Sequence, residues 1–325
     1  MRKNKIVIFL LVLSINSIAQ EKWTLEKCVN RAIKKNISIK QSSEELKSNQ
    51  LNKKTAIGNF MPSLNLSGSH AWNIGLNQNI TTGLLENMTT ESSSLSANIG
   101  IDIFKGLQNL QQLYRANLSI LASTYQLEDM KDDISLLVAN AYLQILFDKE
   151  NMLVQESQLT IAKEELIITQ EKIKNGVMPS GAVLEIEANL ASVEQGLVLA
   201  KNKYYLAKMA LAQLLLITDV ENFEIDESNY SNTNNISNDI LNQDVSSIYN
   251  TAVKNRNNIE LAETNLKIIE KDLAINRSIM LPSLSGFYYY NSRFLLDDSR
   301  SFSEQIDANA GQNFGLQISI PLFNN

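Results

Sequence analysis

Ser63-Leu-Asn-Leu-Ser-Gly-Ser-His-Ala-Trp-Asn-Ile-Gly-Leu76 is the stretch that decides the fold. Its even positions are Leu64, Leu66, Gly68, His70, Trp72, Ile74 and Leu76. Its odd positions are Ser63, Asn65, Ser67, Ser69, Ala71, Asn73 and Gly75. A two-residue period held over a whole segment predicts a strand with one apolar and one polar face, because successive side chains of a strand point to opposite sides. The polar face is built of Ser, Asn and Gly rather than Lys and Glu, as on the inner wall of a barrel. Ser94 to Phe104 repeats the pattern, with Leu95, Ala97, Ile99, Ile101 and Ile103 against Ser94, Ser96, Asn98, Gly100 and Asp102. The segment 77–93 between them, rich in Thr, Ser and Asn, reads as a loop.

The same unit returns further along. Pro62-Ser63-Leu64 recurs as Pro282-Ser283-Leu284, an offset of 220 (282 − 62). At that offset Asn30 matches Asn250, Ala32 matches Ala252, Lys34 matches Lys254, Ile39 matches Ile259, Leu46 matches Leu266 and Lys47 matches Lys267. One step out of register, Ile99 to Phe104 mirrors Ile318 to Phe323. Strands are therefore expected at 63–76, 94–104, 283–294 and 313–323, with a loop at 295–312. A repeat this long points to a duplicated half-protein rather than a solenoid. Each strand has the ~10 residues that cross a bilayer when tilted. Trp72, Tyr288, Tyr290 and Phe294 fall toward the loop-side ends and Phe104 and Phe323 at the others, where interfacial girdles would sit. Phe287 and Tyr289 blur the polar face of the third strand. The expected pore-facing positions are Ser63, Asn65, Ser67, Ser69, Asn73, Ser96, Asn98, Asp102, Gln317 and Ser319. Alternation by itself also fits a half-buried soluble sheet.

The chain begins like a secreted one. Arg2, Lys3 and Lys5 precede the apolar run Ile6 to Leu13, and Ser17-Ile18-Ala19 is a small-x-small cleavage site, so 1–19 reads as a signal peptide. An uncleaved anchor is the other reading, but the apolar run is far short of ~20 residues. Cys28 lies well beyond the cleavage site, which argues against a lipoprotein, and a single cysteine forms no internal disulfide. No later apolar run reaches helix-spanning length, so any membrane crossing must be a β-barrel. Net charge is −6 with no basic run, which argues against nucleic acid. Lone His70 and lone Cys28 give no metal constellation. Pairs such as Asp132-Asp133, Glu164-Glu165 and Asp297-Asp298 read as solvated surface, so neither a cofactor nor catalysis is expected.

Helical periods fill the rest. Residues 23–60 read as two helices broken near Asn36, and 245–279 repeats them. Between 107 and 217 apolar residues step by three and four, first through Leu107, Leu110, Tyr114, Leu118 and Leu121, later through Ile186, Leu190, Val193 and Leu197. The break is Asn175-Gly-Val-Met-Pro-Ser-Gly181. There Gly176 can take the left-handed helix end, Pro179 blocks continuation and Ser180 can cap the next helix. The unit 107–217 is thus an antiparallel hairpin whose first arm would be ~100 Å long, too long for a compact core and in need of partners along its length. The stretch 219–242, rich in Asn, Ser, Asp and Glu, joins a first repeat (20–240) to a second (245–325).

Strand hairpin, long helix, Gly-centred tip, return helix and the same order again resembles the TolC-type outer-membrane efflux proteins. The matching stretches are Trp23-Thr-Leu-Glu-Lys-Cys-Val-Asn-Arg-Ala32, Met61-Pro-Ser-Leu64, Leu281-Pro-Ser-Leu284, Asp102-Ile-Phe-Lys-Gly106, Ile320-Pro-Leu-Phe323, Val138-Ala-Asn-Ala-Tyr142 and Lys174-Asn-Gly176 through Val183-Leu184. The resemblance implies an α+β membrane protein. Each protomer of a homotrimer would give four strands to a shared barrel in outer-membrane lipid, continued by a long periplasmic antiparallel helical coiled-coil barrel. It implies a passive exit duct for a tripartite efflux pump or type I secretion system, coupled to a periplasmic adaptor (membrane fusion protein) and an inner-membrane pump. The adaptor role at the tip carries to Asn175, Gly176, Val177, Met178, Pro179 and Ser180. Many relatives carry an acidic residue just after the tip, where this chain has Ala182. The second repeat has no long hairpin after Phe323, which predicts a C-terminally truncated chain. A soluble periplasmic coiled-coil adaptor or scaffold and an adhesin stalk are the competing classes.

Overall fold

A computed structural model describes residues 22–79, 82–226, 243–296, 298 and 300–323. The signal segment 1–19 and residues 227–242 of the connector lie outside them. The chain divides into two compact units. One is the chain up to Glu44 with Gln126–Asn257, and the other is Glu45–Tyr125 with Asn258–Asn325.

The first unit is helical. Helix α1 (Leu25–Lys35) starts at Thr24, whose hydroxyl accepts the Lys27 N–H at 3.3 Å. It ends at Asn36, as expected. Asn36 turns extended, and its side-chain oxygen accepts the Ser38 N–H at 2.8 Å, opening α2 (Ile37–Gly58). One asparagine thus ends one helix and caps the next. Helices α3 (Gln108–Lys174) and α4 (Ala182–Leu214) are the two arms of the expected hairpin. Close approach of the arms is marked by Gly196, where an added Cβ would lie 2.8 Å from Gln155 Oε1. Lys201 pairs with Glu156 at 3.4 Å across the same interface. The core gathers Cys28 and Ala32 of α1, Val138, Tyr142 and Ile145 of α3, and Leu211, Ala212 and Leu215 at the end of α4. Phe223 and Ile225 close it from the chain that follows α4. There Trp23 forms a parallel bridge with Ile225, so the start of the first repeat is clipped to its end. Helix α5 (Val245–Asn255) buries no residue.

The second unit contains a four-stranded sheet in the order β1-β2-β3-β4, with every pair antiparallel. The strands are β1 (Ser63–Gln78), β2 (Leu85–Lys105), β3 (Ser283–Leu295) and β4 (Gly311–Ser319). Helix α6 (Asn257–Ser278) precedes β3. Several contacts among the helices here are polar, alongside the buried Ala56, Ala116 and Ala122. Asn49 Nδ2 donates to Ser123 Oγ at 2.6 Å, Asn109 Nδ2 to the Asn59 carbonyl at 3.0 Å, and Arg115 pairs with Asp272.

The expected loop 77–93 is largely strand. β1 and β2 continue as a two-stranded ribbon past the Ser92–Leu295 pair, where β3 ends. The turn is short and closed by backbone bonds, Asn79 N–H to the Leu84 carbonyl and Gly83 N–H to the Asn79 carbonyl. The segment shows no apolar alternation of its own; it is paired residue by residue with the end of β1, and Thr is a good strand former. Asn77 Nδ2 adds a cross-strand bond to the Met88 carbonyl at 2.9 Å. The expected loop 295–312 contains helix α7 (Phe302–Ala308), opened by a capping box of Ser301 and Glu304. Gln305, fully buried, bonds both backbone groups of Leu295 with its amide, as a neighbouring strand would, beyond the end of β4. β4 stops at Ser319 rather than 323, because its partner β3 begins at Ser283 behind Pro282, and Pro321 has no N–H to continue the ladder.

Candidate pore wall and hairpin tip

Cross-strand register decides which side chains share a face, since directly opposed residues point the same way. Asn65 stands opposite Asn98, and Asn98 opposite Tyr289, which is opposite Asn313. Ser67 stands opposite Ser96, and Ser96 opposite Asn291. Ser63 is paired with Gly100, and Asp102 with Ser285, which is paired with Gln317; Ser319 faces Ser283. Ser69 and Ser94 share a hydroxyl hydrogen bond at 2.7 Å, and Asp102 pairs with Lys105 at 3.2 Å. The ten positions read from the sequence therefore lie on one face. One of the ten, Asn73, stands opposite Thr90 on the two-stranded ribbon.

The opposite face is apolar: Leu64, Ile99, Tyr288 and Phe314 in one row, Ile101, Gly286 and Leu316 in the next, then Phe104, Leu284 and Ile318. Phe314 is 78% exposed and Ile318 68%. Tyr288 thus sits between Ile99 and Phe314 rather than at a loop-side end. A bulge between Asp102 and Phe104 breaks the alternation, so that Phe104, not Ile103, opposes Leu284. His70 lies toward the ribbon, bridging Glu91 at 3.0 Å and Ser93 at 2.8 Å, with its ring edge-on to Trp72.

Phe287 and Tyr289, which blur the alternation of the third strand, stand on the polar face together with Asn291 and Asn313. Phe287 is accommodated because both its cross-strand neighbours, Gly100 and Gly315, lack side chains, and its ring lies 3.0 Å from where a Gly315 Cβ would be. The glycines opposite it carry the signal, but reading them requires the register.

The tip is built by backbone chemistry. Gly176 has φ +75°; its N–H bonds the Ile173 carbonyl at 2.9 Å, and the Val177 N–H bonds the Lys172 carbonyl at 2.9 Å. This is the Schellman arrangement, which satisfies carbonyls left unpaired at a helix end. Ser180 does not cap α4 as expected. Gly181 occupies that place without a side-chain bond, and the Ala182 N–H bonds the Pro179 carbonyl at 3.1 Å instead. The proline turn already satisfies the first donor. Of the six tip residues only Met178 is partly covered, and Val177 is 72% and Leu184 67% exposed. Among the described residues no group of three or more His, Cys, Asp or Glu could hold a metal ion, and no helix is long and apolar enough to cross a membrane.

A family profile described as outer membrane efflux protein matches residues 28–215. No curated protein sequence matches the chain. Among solved structures, CusC superposes with a TM-score of 0.74 at 17% identity, covering 92% of this chain and 66% of that one; its crystal structures concern conformational changes accompanying folding and transmembrane channel formation. The outer membrane protein VceC of Vibrio cholerae gives 0.71 at 18% identity, covering 92% of this chain and 69% of that one. The CmeC outer membrane channel of Campylobacter jejuni gives 0.71 at 19% identity, covering 92% and 61%. The likeness at these identities is one of fold, and the chain spans about two thirds of the length of these structures.

Proposed function

The chain belongs to the outer membrane efflux protein family, and from that premise we propose that it is a protomer of a homotrimeric exit duct through the outer membrane, coupled through its helical hairpin to a periplasmic adaptor and an inner-membrane pump. The family is one of channels rather than enzymes, and membership places the chain in the outer membrane; in the proposed duct its helices extend into the periplasm. The observation that carries the reading is the sheet. One face is mainly apolar, with Leu64, Leu66, Phe314, Leu316 and Ile318 exposed, the other is mainly Ser, Asn and Gly around Phe287 and Tyr289, and both β1 and β4 are unpaired edges. An exposed edge must pair or be covered. Pairing β1 of one copy with β4 of the next removes every edge, presents the apolar face to lipid and encloses the polar face around water. The exposed apolar residues of α3 and α4, among them Leu143, Phe147, Ile161 and Leu206, fit the same account, with neighbouring copies covering them. A soluble scaffold would have no use for an exposed apolar sheet face.

Cysteine substitution tests the wall. In the assembled protein, Asn98→Cys and Ser67→Cys are expected to react with a water-soluble maleimide at least about tenfold faster than Leu66→Cys and Leu316→Cys. The native background is low, because burial pushes the Cys28 thiol up to about 12, leaving no thiolate at pH 8. Equal labelling of the two sets would sink the duct.

The tip is tested separately. Charging its exposed apolar pair, Val177→Asp with Leu184→Asp, is expected to leave the amount and outer-membrane location of the protein unchanged. Export should fall to the level of cells lacking the gene, since desolvating the new carboxylates at a docking surface is costly. Unchanged export would remove the tip as the coupling point.

A further inference from the structure

Five of the chain's 29 Lys and Arg residues fall within 22–35, against the single described acid Glu26, in a protein of net charge −6. Lys27, Arg31, Lys34 and Lys35 recur along α1 at the spacing of one helix side, with Lys22 just ahead. Together with Trp23 they line an open pocket of about 350 Å³ in the first unit. Its floor is fixed. The Arg31 guanidinium lies over the Trp23 ring, 5.3 Å from its centre, and its Nε donates to the Leu215 carbonyl at 2.9 Å at the end of α4. The Trp23 ring rests in turn on Phe223.

The internal repeat serves as a control for what the fold needs. At offset 220 the second copy keeps Asn30 as Asn250, Ala32 as Ala252 and Lys34 as Lys254. It replaces Trp23 by Gln243, Lys27 by Ser247, Arg31 by Thr251 and Lys35 by Asn255. Lys34 and Lys35 both lie in the last turn, where the helix dipole favours a cation, and the second copy keeps the first of them. Lys27 and Arg31, which lie ahead of the last turn and owe nothing to the dipole, have no counterpart in the second copy.

We propose that this pocket is a docking groove for an acidic peptide segment of a partner protein, distinct from the hairpin tip. The cations are strung along roughly 12 Å of helix between Lys27 and Lys35 rather than converging on one point, which matches carboxylates spaced along a chain better than a single anion. The indole and the lysine stems supply apolar contact that a peptide backbone and side chains can use.

The test uses the full chain purified in detergent and a labelled twelve-residue peptide with Glu at every third or fourth position. The Glu peptide is expected to bind, and to bind less tightly as salt rises. The combined variant Lys22→Gln, Lys27→Gln and Lys35→Gln, all at exposed positions, is expected to lower affinity about tenfold with an unchanged thermal midpoint. Equal binding of the Gln version of the peptide overturns the proposal, as does retained affinity in the triple variant. Displacement by inorganic phosphate at the peptide's own concentration would make this a simple anion site. Stronger binding to phosphatidylglycerol vesicles than to the peptide would make it a membrane contact. Maleimide labelling of the strand positions is independent of all these outcomes, so failure here leaves the duct untouched.

Discussion

Replacing Gly106 by alanine is expected to destabilise the second unit by about 2–4 kcal/mol and to deplete the protein from the outer membrane. Gly106 is buried at the turn from β2 into α3, with φ +56°, and Leu107 follows at φ +64°. A side chain in the left-handed region costs roughly 1–2 kcal/mol. The larger part is steric. A Cβ on Gly106 would lie 2.4 Å from the Ser278 carbonyl oxygen and 2.8 Å from Leu281 Cβ. The Ser278 carbonyl cannot retreat freely, because it accepts the Leu281 N–H at 3.1 Å. Overpacking against backbone costs about 1–3 kcal/mol. Gly176→Ala is the comparison: it has the same sign of φ (+75°), but nothing lies within 4 Å of its Cβ, so only the conformational cost of about 1 kcal/mol applies. Thermal unfolding and outer-membrane yield of the two variants check this. If Gly176→Ala lowers the midpoint as much as Gly106→Ala, the contact with Ser278 is not what constrains position 106.

Tyr142→Ala is expected to cost about 3–5 kcal/mol in the first unit, and Tyr142→Phe about 1–3 kcal/mol. Tyr142 is fully buried on α3. Its hydroxyl lies against two backbone carbonyls, that of Trp23 at 3.1 Å and that of Asp226. The two strands it joins are themselves paired, Trp23 N–H to the Glu224 carbonyl and Asp226 N–H to the Trp23 carbonyl. The alanine variant loses a large packed ring and leaves a cavity. The phenylalanine variant keeps the ring and removes only the donor shared by the clip. Urea unfolding measures both, and amide exchange separates them from a general loosening. In Tyr142→Phe, exchange should quicken at Trp23 and Asp226 while the β2–β3 ladder is unaffected. Unchanged exchange at those two amides would show that the hydroxyl does not hold the clip.

The elements were legible wherever a period repeats along the chain. The alternation through Leu64, Leu66 and Trp72 and its return through Phe314, Leu316 and Ile318 gave the four strands, and Pro62 and Pro282 their starts. Gly176 and Pro179 marked the tip. The capping box Ser301 to Glu304 is equally local, and it would have located α7 inside a stretch that otherwise reads as loop. The ribbon 77–93 carries no apolar period, because both its faces are mixed, and only its pairing with the end of β1 makes it strand. The bulge at Ile103 follows from pairing with β3, about 180 residues away, and so could not be read from β2 alone.

What the sequence determined by itself is a set of local periods and breaks: strand faces, helix arms, the Gly-centred tip and a duplicated order, because side-chain direction within an element follows from backbone geometry over a few residues. Only the tertiary structure decided what those elements meet. It set the register that places Phe287 over Gly315, the hydroxyl of Tyr142 that clips Trp23 to Asp226, the approach of Ser278 that makes Gly106 indispensable, and the Leu215 carbonyl and Phe223 ring that fix Arg31 and Trp23. Each depends on chain segments brought together from far apart, a closure that no period along the sequence encodes.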